Sequence, residues 1–214
     1  MAFTIAYSKK IKPRSFRFLK SKFLSIAPFF FLFAVFFINL VHSTNLLADE
    51  NTSGFSIQSL ETLMQDRVYL LNANFDYQFS KEAIEALEHG VPLLILVDIE
   101  ILTPRWYWTD KTIAELEQGY LLIYHALSES YVINNLNSGT QNNFISLRQA
   151  LNFLSKIKGL PILDAKLLNL EKDYYLRVRT HLDIESLPAP MQPLAYISSD
   201  WQLSSGWYEW PLQK

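Results

Sequence analysis

The sequence predicts an α+β domain, mostly antiparallel β-sheet, with about six to eight strands arranged like a sandwich and two short helices. Several segments alternate apolar and polar residues with the period of two that is typical of strands. The predicted helices are too short to cross between parallel strands often, which favours antiparallel or mixed pairing. An N-terminal hydrophobic helix is expected to precede this domain.

The N-terminal part has the pattern of an export segment. Residues 1–22 contain seven basic residues and no acid, and they are expected on the cytoplasmic side. Residues 23–41 contain seven phenylalanines and no charge. The segment 23–43 is therefore predicted to be either a cleaved signal peptide or a transmembrane anchor.

Either alternative places the rest of the chain in the cell envelope, on the periplasmic side of the inner membrane. The domain is then anchored to that membrane through residues 23–41 or released from it. Residues 44–60 are predicted to be a tether, because residues 49–59 are polar, and residues 61–214 a single exported domain.

Charge and composition exclude several classes of function. The formal net charge is −2, but residues 23–214 hold 12 basic and 21 acidic residues, a net charge of −9. An acidic domain repels phosphate backbones, which argues against nucleic acid as a partner. The chain has no cysteine, which excludes disulfides and thiolate chemistry. It also has no metal-binding motif and no glycine-rich phosphate loop, so we expect no cofactor and no metal.

The first half of the domain has regular patterns. Residues 68–79 alternate as a strand, and residues 81–89 have helical spacing with Ser80 as N-cap and Gly90 as stop. Residues 93–102 form the clearest strand, with the odd positions from Leu93 to Ile101 on one face. We expect a long hairpin that joins residues 93–108 to residues 112–126.

The second half predicts a strand at residues 131–136 and a helix from about Leu147 to Lys158, which ends at Gly159. Residues 162–170 and 174–182 then indicate a hairpin, and a polyproline-like stretch leads to a last strand. The letters "FS", a helix and "GVPLL" in the first half match "FIS", a helix and "GLPIL" in the second. We interpret this match as a duplicated β-α-β-β unit.

The tryptophans form two clusters that are candidates for binding a partner. Exposed aromatic side chains can stack on sugars or capture peptide, and an arginine can add a cation–π contact. The alternative is that these side chains close the core, as large aromatics usually do. Which alternative holds at the first cluster depends on whether Pro104 preserves the phase of the preceding strand or shifts it by one. The candidates are Arg105, Trp106, Trp108, Trp201, Trp207 and Trp210.

A second candidate is the polar face of the strand at residues 174–182. Arg177, Arg179 and His181 lie on that face and can bind an anionic group. They can equally pair with Asp98 and Glu100 across the sheet. An envelope hydrolase that uses Asp98, Glu100 or Asp183 as acid and base is an alternative.

Six segments carry a resemblance to a known family. They are "FSKEAIEALEHGVPL" (79–93), "RWYW" (105–108), "YHALSESYVI" (124–133), "FISLRQAL" (144–151), "RTHLDIESLPAP" (179–190) and "DWQLSSGWYEW" (200–210). In this order they resemble the bacterial family of domain of unknown function 4390, over roughly residues 55–212. The resemblance implies a secreted or membrane-anchored envelope protein of Gram-negative bacteria, with no catalytic residues to transfer. Such proteins are often encoded beside a membrane sensor kinase.

The sequence thus predicts a non-enzymatic envelope domain that binds a protein or another envelope component. The alternatives are an accessory protein of a membrane sensor kinase and the envelope hydrolase.

Overall fold

Two antiparallel sheets make up the architecture, which the computed structural model describes for residues 53–169 and 171–212. In chain order, the strands are β1 (Gly54–Gln65), β2 (Val68–Gln78), β3 (Leu93–Thr103), β4 (Lys111–His125), β5 (Ser130–Asn135), β6 (Gln141–Phe144), β7 (Lys156–Asp164), β8 (Tyr175–Leu182) and β9 (Tyr208–Pro211). The helices are α1 (Lys81–Glu88), α2 (Leu147–Leu154) and α3 (Gln192–Ile197), with a 3-10 turn at Ala165–Leu167.

The predicted fold class is confirmed. One sheet has the order β1-β2-β7 and the other β6-β5-β4-β3-β8-β9, and every pairing is antiparallel. The described residues form nine strands and three α-helices, more than the sequence predicts. The additional helix, α3, begins at Gln192, at the end of the stretch 187–193 that is expected to be polyproline-like.

Strand β1 begins at Gly54, inside the range that was expected to be a tether. Its alternation is hard to detect because a bulge between Ile57 and Ser59 shifts the register. Phe55 and Leu60 are therefore both buried although one position is odd and the other even. The tether prediction is wrong for residues 54–60.

Strand β3 is the centre of the larger sheet and has the predicted phase. Its odd positions from Leu93 to Ile101 are fully buried, while Asp98 and Glu100 lie on the outer face. It pairs with β4 in the predicted hairpin and with β8 on its other side. Because β3 is hydrogen-bonded on both edges, it fixes the positions of the outer-face side chains.

The two sheets enclose one hydrophobic core. A buried polar contact crosses that core: the Tyr77 hydroxyl lies 3.2 Å from Thr180 Oγ1, which donates to the Leu96 carbonyl at 3.1 Å. Burial raises the pKa of Tyr77, so this phenol stays neutral and can donate. The contact joins β2 of the small sheet to β8 and β3 of the large sheet.

Helix α1 has the predicted cap, since Ser80 Oγ accepts from the Ala83 N–H at 3.1 Å, and Gly90 follows it with φ +90°. Helix α2 is shorter than expected and ends at Leu154. Gly159 does not stop this helix. It lies within β7 at φ +62°, where the β2–β7 register shifts and its N–H bonds Asn72 Oδ1 at 2.8 Å.

The predicted hairpin of residues 162–170 with 174–182 is wrong. Strand β7 pairs with β2 in the small sheet, and β8 pairs with β3 in the large one. The two "FS–helix–strand" segments also end in strands at different positions, since β3 is central in one sheet and β7 is an edge strand of the other. The repeated letters therefore do not occupy equivalent positions.

The predicted basic arm and hydrophobic segment, residues 1–43, lie outside the described residues. Within residues 53–169 and 171–212, no helix combines the length and apolar character that a membrane span requires.

Candidate functional site

Among the described residues, the most exposed aromatic side chains lie in the RWYW loop, which we define as residues 104–110 between β3 and β4. Trp106 is 94% exposed, Trp108 72% and Tyr107 65%. Neither sequence alternative for Pro104 applies, because β3 ends at Thr103 and its phase is not continued. The loop projects all three aromatic side chains away from the core.

Hydrogen bonds at both ends hold this loop in place. The Asp110 carboxylate accepts from the Arg105 N–H at 3.2 Å and from the Tyr175 hydroxyl. Thr103 Oγ1 donates to the Asp173 carbonyl at 2.9 Å. The Tyr175 contact, followed by the Arg105 N–H, lowers the pKa of Asp110, whereas burial and the same contact raise the pKa of Tyr175 to about 12.

A cavity of about 560 Å³ lies against the RWYW loop. Its cations are Arg105, Lys111 and Lys172, and none of them forms an ion pair within the described part of the chain. Trp106 and Tyr107 supply its aromatic wall, and Asp173 also lines it. The loop therefore combines aromatic and cationic groups on a domain whose overall charge is negative.

The C-terminal tryptophans lie in other environments. Trp201 is only 5% exposed and belongs to the core, so it is not available to a partner and leaves the predicted surface. Trp210 is half-buried and packs against the core. Trp207 is 38% exposed and lies over two arginine side chains, with the Cζ atoms of Arg177 and Arg179 at 4.5 and 4.7 Å from its ring centroid.

Those arginines form ion pairs on the outer face of the large sheet, as one sequence alternative expects. Arg177 Nη2 lies 2.6 Å from Glu100 Oε2, and Arg179 Nη2 lies 2.6 Å from Asp98 Oδ2. Each Nε also donates to the same oxygen, at 2.7 and 2.9 Å. Because the strand register places each arginine directly opposite its acid, the pairs follow from the β3–β8 ladder.

His181 continues the same row but has no hydrogen bond to its buried Nδ1 atom within the described residues. Nδ1 lies 3.4 Å from Asp98 Oδ2, which already accepts two bonds from Arg179. Burial lowers the pKa of His181, and the attraction of Asp98 opposes this effect. The arginines of the predicted anion site are thus occupied by the protein's own carboxylates.

A family model described as "Domain of unknown function (DUF4390)" matches residues 52–211. The chain belongs to the DUF4390 family. The match covers both sheets, the RWYW loop and the ion-paired outer face. Comparison with curated proteins and with solved structures gave no match.

Asp98, Glu100 and Asp183, the carboxylates of the hydrolase alternative, each accept hydrogen bonds within the DUF4390 domain. A glycosidase needs two carboxyl groups on either side of the substrate bond. Asp98 and Glu100 each accept from an arginine on a sheet face, and Asp183 accepts from the Glu185 N–H at 3.1 Å. This geometry adds no support to the hydrolase alternative. Among the described residues, no three His, Asp or Glu side chains are placed to hold a metal ion.

Two residues that shape the RWYW loop of the DUF4390 domain were not predicted as site residues. The sequence places Asp110 between the two strands of the predicted hairpin and Tyr175 in a predicted strand, and it indicates no role in the loop for either residue. Their contact joins positions 65 residues apart in sequence. A local pattern carries no signal of such a contact, and only the pairing of β3 with β8 brings the two side chains together.

Proposed function

We propose that the DUF4390 domain is a non-enzymatic envelope domain on the periplasmic side that binds a protein or another envelope component through its RWYW loop. The exposure of three successive aromatic side chains carries this proposal. Monomeric proteins rarely expose large contiguous apolar groups, and those that do commonly use them for binding.

The composition of the loop supports a role as a binding hot spot. Trp, Tyr and Arg are the residues enriched among those that contribute most to binding energy at protein interfaces. Trp106, Tyr107 and Arg105 supply all three types, and Lys111 and Lys172 add positive charge beside them. A partner with an apolar centre and an acidic rim would complement this surface.

The hydrogen bonds of Asp110, which hold the RWYW loop in place, support the same proposal. A loop that is ordered before binding loses less conformational entropy when the partner arrives. Asp110 joins the start of the loop to β8 through Arg105 and Tyr175. We therefore expect Asp110→Ala to weaken binding although every aromatic side chain remains, with Glu115→Ala on the exposed part of β4 as the control.

The proposed location rests on the N-terminal sequence. The basic residues of 1–22 and the uncharged residues of 23–41 are typical of export, with anchoring or cleavage as the two alternatives. A membrane sensor kinase is one partner that this location allows.

Crosslinking in intact cells tests the proposal. A photoreactive amino acid replaces Trp106 in the full chain, and the control carries it at Leu127, which is fully exposed in the turn at the opposite end of β4. We expect a discrete crosslinked partner at position 106 that is absent at position 127. Mass spectrometry identifies the partner, and the N-terminal peptide shows whether the leader is cleaved.

The expected loss from Trp106→Ala in a pull-down is about 2 kcal/mol of binding free energy or more, the usual value for a hot spot. If position 106 gives the same products as position 127, or if Trp106→Ala retains the partner fully, the loop is not the binding surface.

A further inference from the structure

A second cavity, separate from the RWYW loop, lies where β1 turns into β2. Its volume is about 360 Å³, at the lower end of the range for small-molecule sites. The Arg67 carbonyl accepts from the Ala165 N–H at 2.8 Å, which joins the β1–β2 turn to the 3-10 turn after β7. The cavity is lined by Met64, Arg67, Tyr69, Ala165, Lys166, Leu168, Asn169 and Tyr174.

The walls of this cavity are mostly apolar, but three polar groups remain available. The Tyr69 side chain is nearly buried, and its hydroxyl makes no hydrogen bond within the described residues. Arg67 and Lys166 form no ion pair there either. Asp164 Oδ1 accepts from the Lys166 N–H at 2.9 Å, which caps the 3-10 turn beside the cavity. An apolar space with two free cations complements a ligand that has an apolar body and an anionic end.

The backbone of the β1–β2 turn is strained, and one of its two strained residues is the cation Arg67. Asp66 and Arg67 have φ values of +50° and +65°. A two-residue hairpin turn with both φ angles positive strongly prefers glycine at its second position, because a side chain there is strained. Arginine therefore occupies a position where glycine would fit better, and strain of this kind is often associated with a binding site.

Large apolar side chains remain exposed at the cavity and next to it. Leu63 is 55% exposed, Met64 50% and Leu167 68%. Met64 also lines the cavity, and Leu167 lies in the 3-10 turn beside it. A ligand longer than the cavity would contact them.

We propose that this cavity binds one acyl chain of an anionic amphiphile. The chain occupies the space between Met64, Leu168 and Tyr174. The carboxylate or phosphate of the head group binds Arg67 and Lys166 and accepts a hydrogen bond from the Tyr69 hydroxyl. The volume suits one chain rather than two. A free fatty acid and a single chain of a membrane lipid share this chemistry.

Photolabelling of the full chain in native membrane particles tests the proposal. The probe is dodecanoate that carries a diazirine near the chain end, with unlabelled dodecanoate and dodecanol as competitors. We expect adducts on the peptides that contain Met64, Tyr69 or Leu168. We also expect dodecanoate to compete at least 10-fold better than dodecanol, because only the acid pairs with the cations. When labelled lipids replace the free probe, the mass of the adduct tells a free acid from a membrane lipid.

Variants at the turn separate binding from folding. Arg67→Gly should reduce labelling at least fivefold while the melting temperature stays equal or rises, because glycine relieves the positive φ. Arg67→Lys should retain most of the labelling. Met64→Trp, which places a larger side chain at the cavity wall and leaves the turn residues unchanged, should also reduce labelling.

Equal competition by dodecanol, or undiminished labelling of Arg67→Gly, would overturn the proposal. Because this cavity does not include the RWYW loop, such a failure leaves the crosslinking experiment at Trp106 unaffected.

Discussion

Replacing single tryptophans with alanine tests whether the RWYW loop is a surface or part of the core. Trp106→Ala and Trp108→Ala remove exposed side chains of the loop, and Trp201→Ala removes a side chain of the same size from the core. The three residues are 94%, 72% and 5% exposed. The exposed fraction decides how much stability each replacement removes.

The magnitudes follow from the buried area. A tryptophan buries at most about 250 Å², so Trp106 hides about 15 Å² and Trp108 about 70 Å². At about 25 cal/mol per Å², these areas correspond to about 0.4 and 1.8 kcal/mol as upper values. Trp201→Ala should cost about 3–5 kcal/mol, since it also leaves a cavity.

Thermal unfolding of the three variants measures these differences. For a domain of this size, 1 kcal/mol corresponds to about 2–4 °C in melting temperature. We expect a loss of about 1 °C for Trp106→Ala, up to about 7 °C for Trp108→Ala, and at least about 6 °C for Trp201→Ala. Trp106 is therefore the residue whose replacement separates binding from stability most cleanly.

A loss above about 2 kcal/mol for Trp106→Ala would refute the assignment of the loop to the surface. A loss below about 1 kcal/mol for Trp201→Ala would refute the assignment of that residue to the core. Equal losses for both would show that the tryptophans share one environment.

Three further predictions concern the capping, the outer face and the acid dependence of the domain. Ser80→Ala should lower the free energy of unfolding in urea by about 1–2 kcal/mol, because the buried hydroxyl caps α1 and donates to the Asp200 carbonyl at 2.6 Å. Ser146→Ala at the exposed cap of α2 is the control and should lower it by about 0.5 kcal/mol. Equal losses for the two variants would contradict this reasoning. Glu117→Lys should stabilise the fold by about 0.5 kcal/mol, because Glu117 lies directly opposite Asp98 in the sheet and the two negative charges repel each other. A destabilised variant would argue against this repulsion. The pKa of His181 is lowered in the folded state, so the unfolded chain binds the proton more readily. The contribution of the neutral His181 to the free energy of unfolding is therefore fully present above about pH 6.5 and is lost as the pH falls below that value. His181→Gln should therefore flatten the change in stability between about pH 7.5 and pH 5.5, and parallel profiles for the two proteins would count against it.

Local features of the sequence predict strand β3 and helix α1 well. The alternation from Leu93 to Ile101 predicts both the strand and its buried face, and the Ser80 and Gly90 signals place helix α1. These features succeed because side-chain period and end capping are set by residues within a few positions of each other. The pairing of Arg177 and Arg179 with carboxylates was also one of the two sequence alternatives, since opposite charges lay on the polar faces of two strands.

The sequence predicts pairing between distant segments less well. Strands β7 and β8 are neighbours in sequence, which predicts a hairpin. In the structure they bury their apolar faces in different sheets, where β7 pairs with β2 and β8 with β3. The sequence pattern does not predict strand β1, because a single bulge moves its buried face from odd to even positions. In both places the decisive contacts lie many residues away, where periodicity carries no signal.

The sequence by itself therefore determined the antiparallel class, the phase of the central strand and the family to which the chain belongs. Only the tertiary structure decided which tryptophans are exposed, that Asp110 and Tyr175 clamp the RWYW loop, and that Arg67 lines an apolar cavity. The physical reason is that strand period depends on adjacent residues, whereas exposure and enclosed space depend on which distant segments pack together.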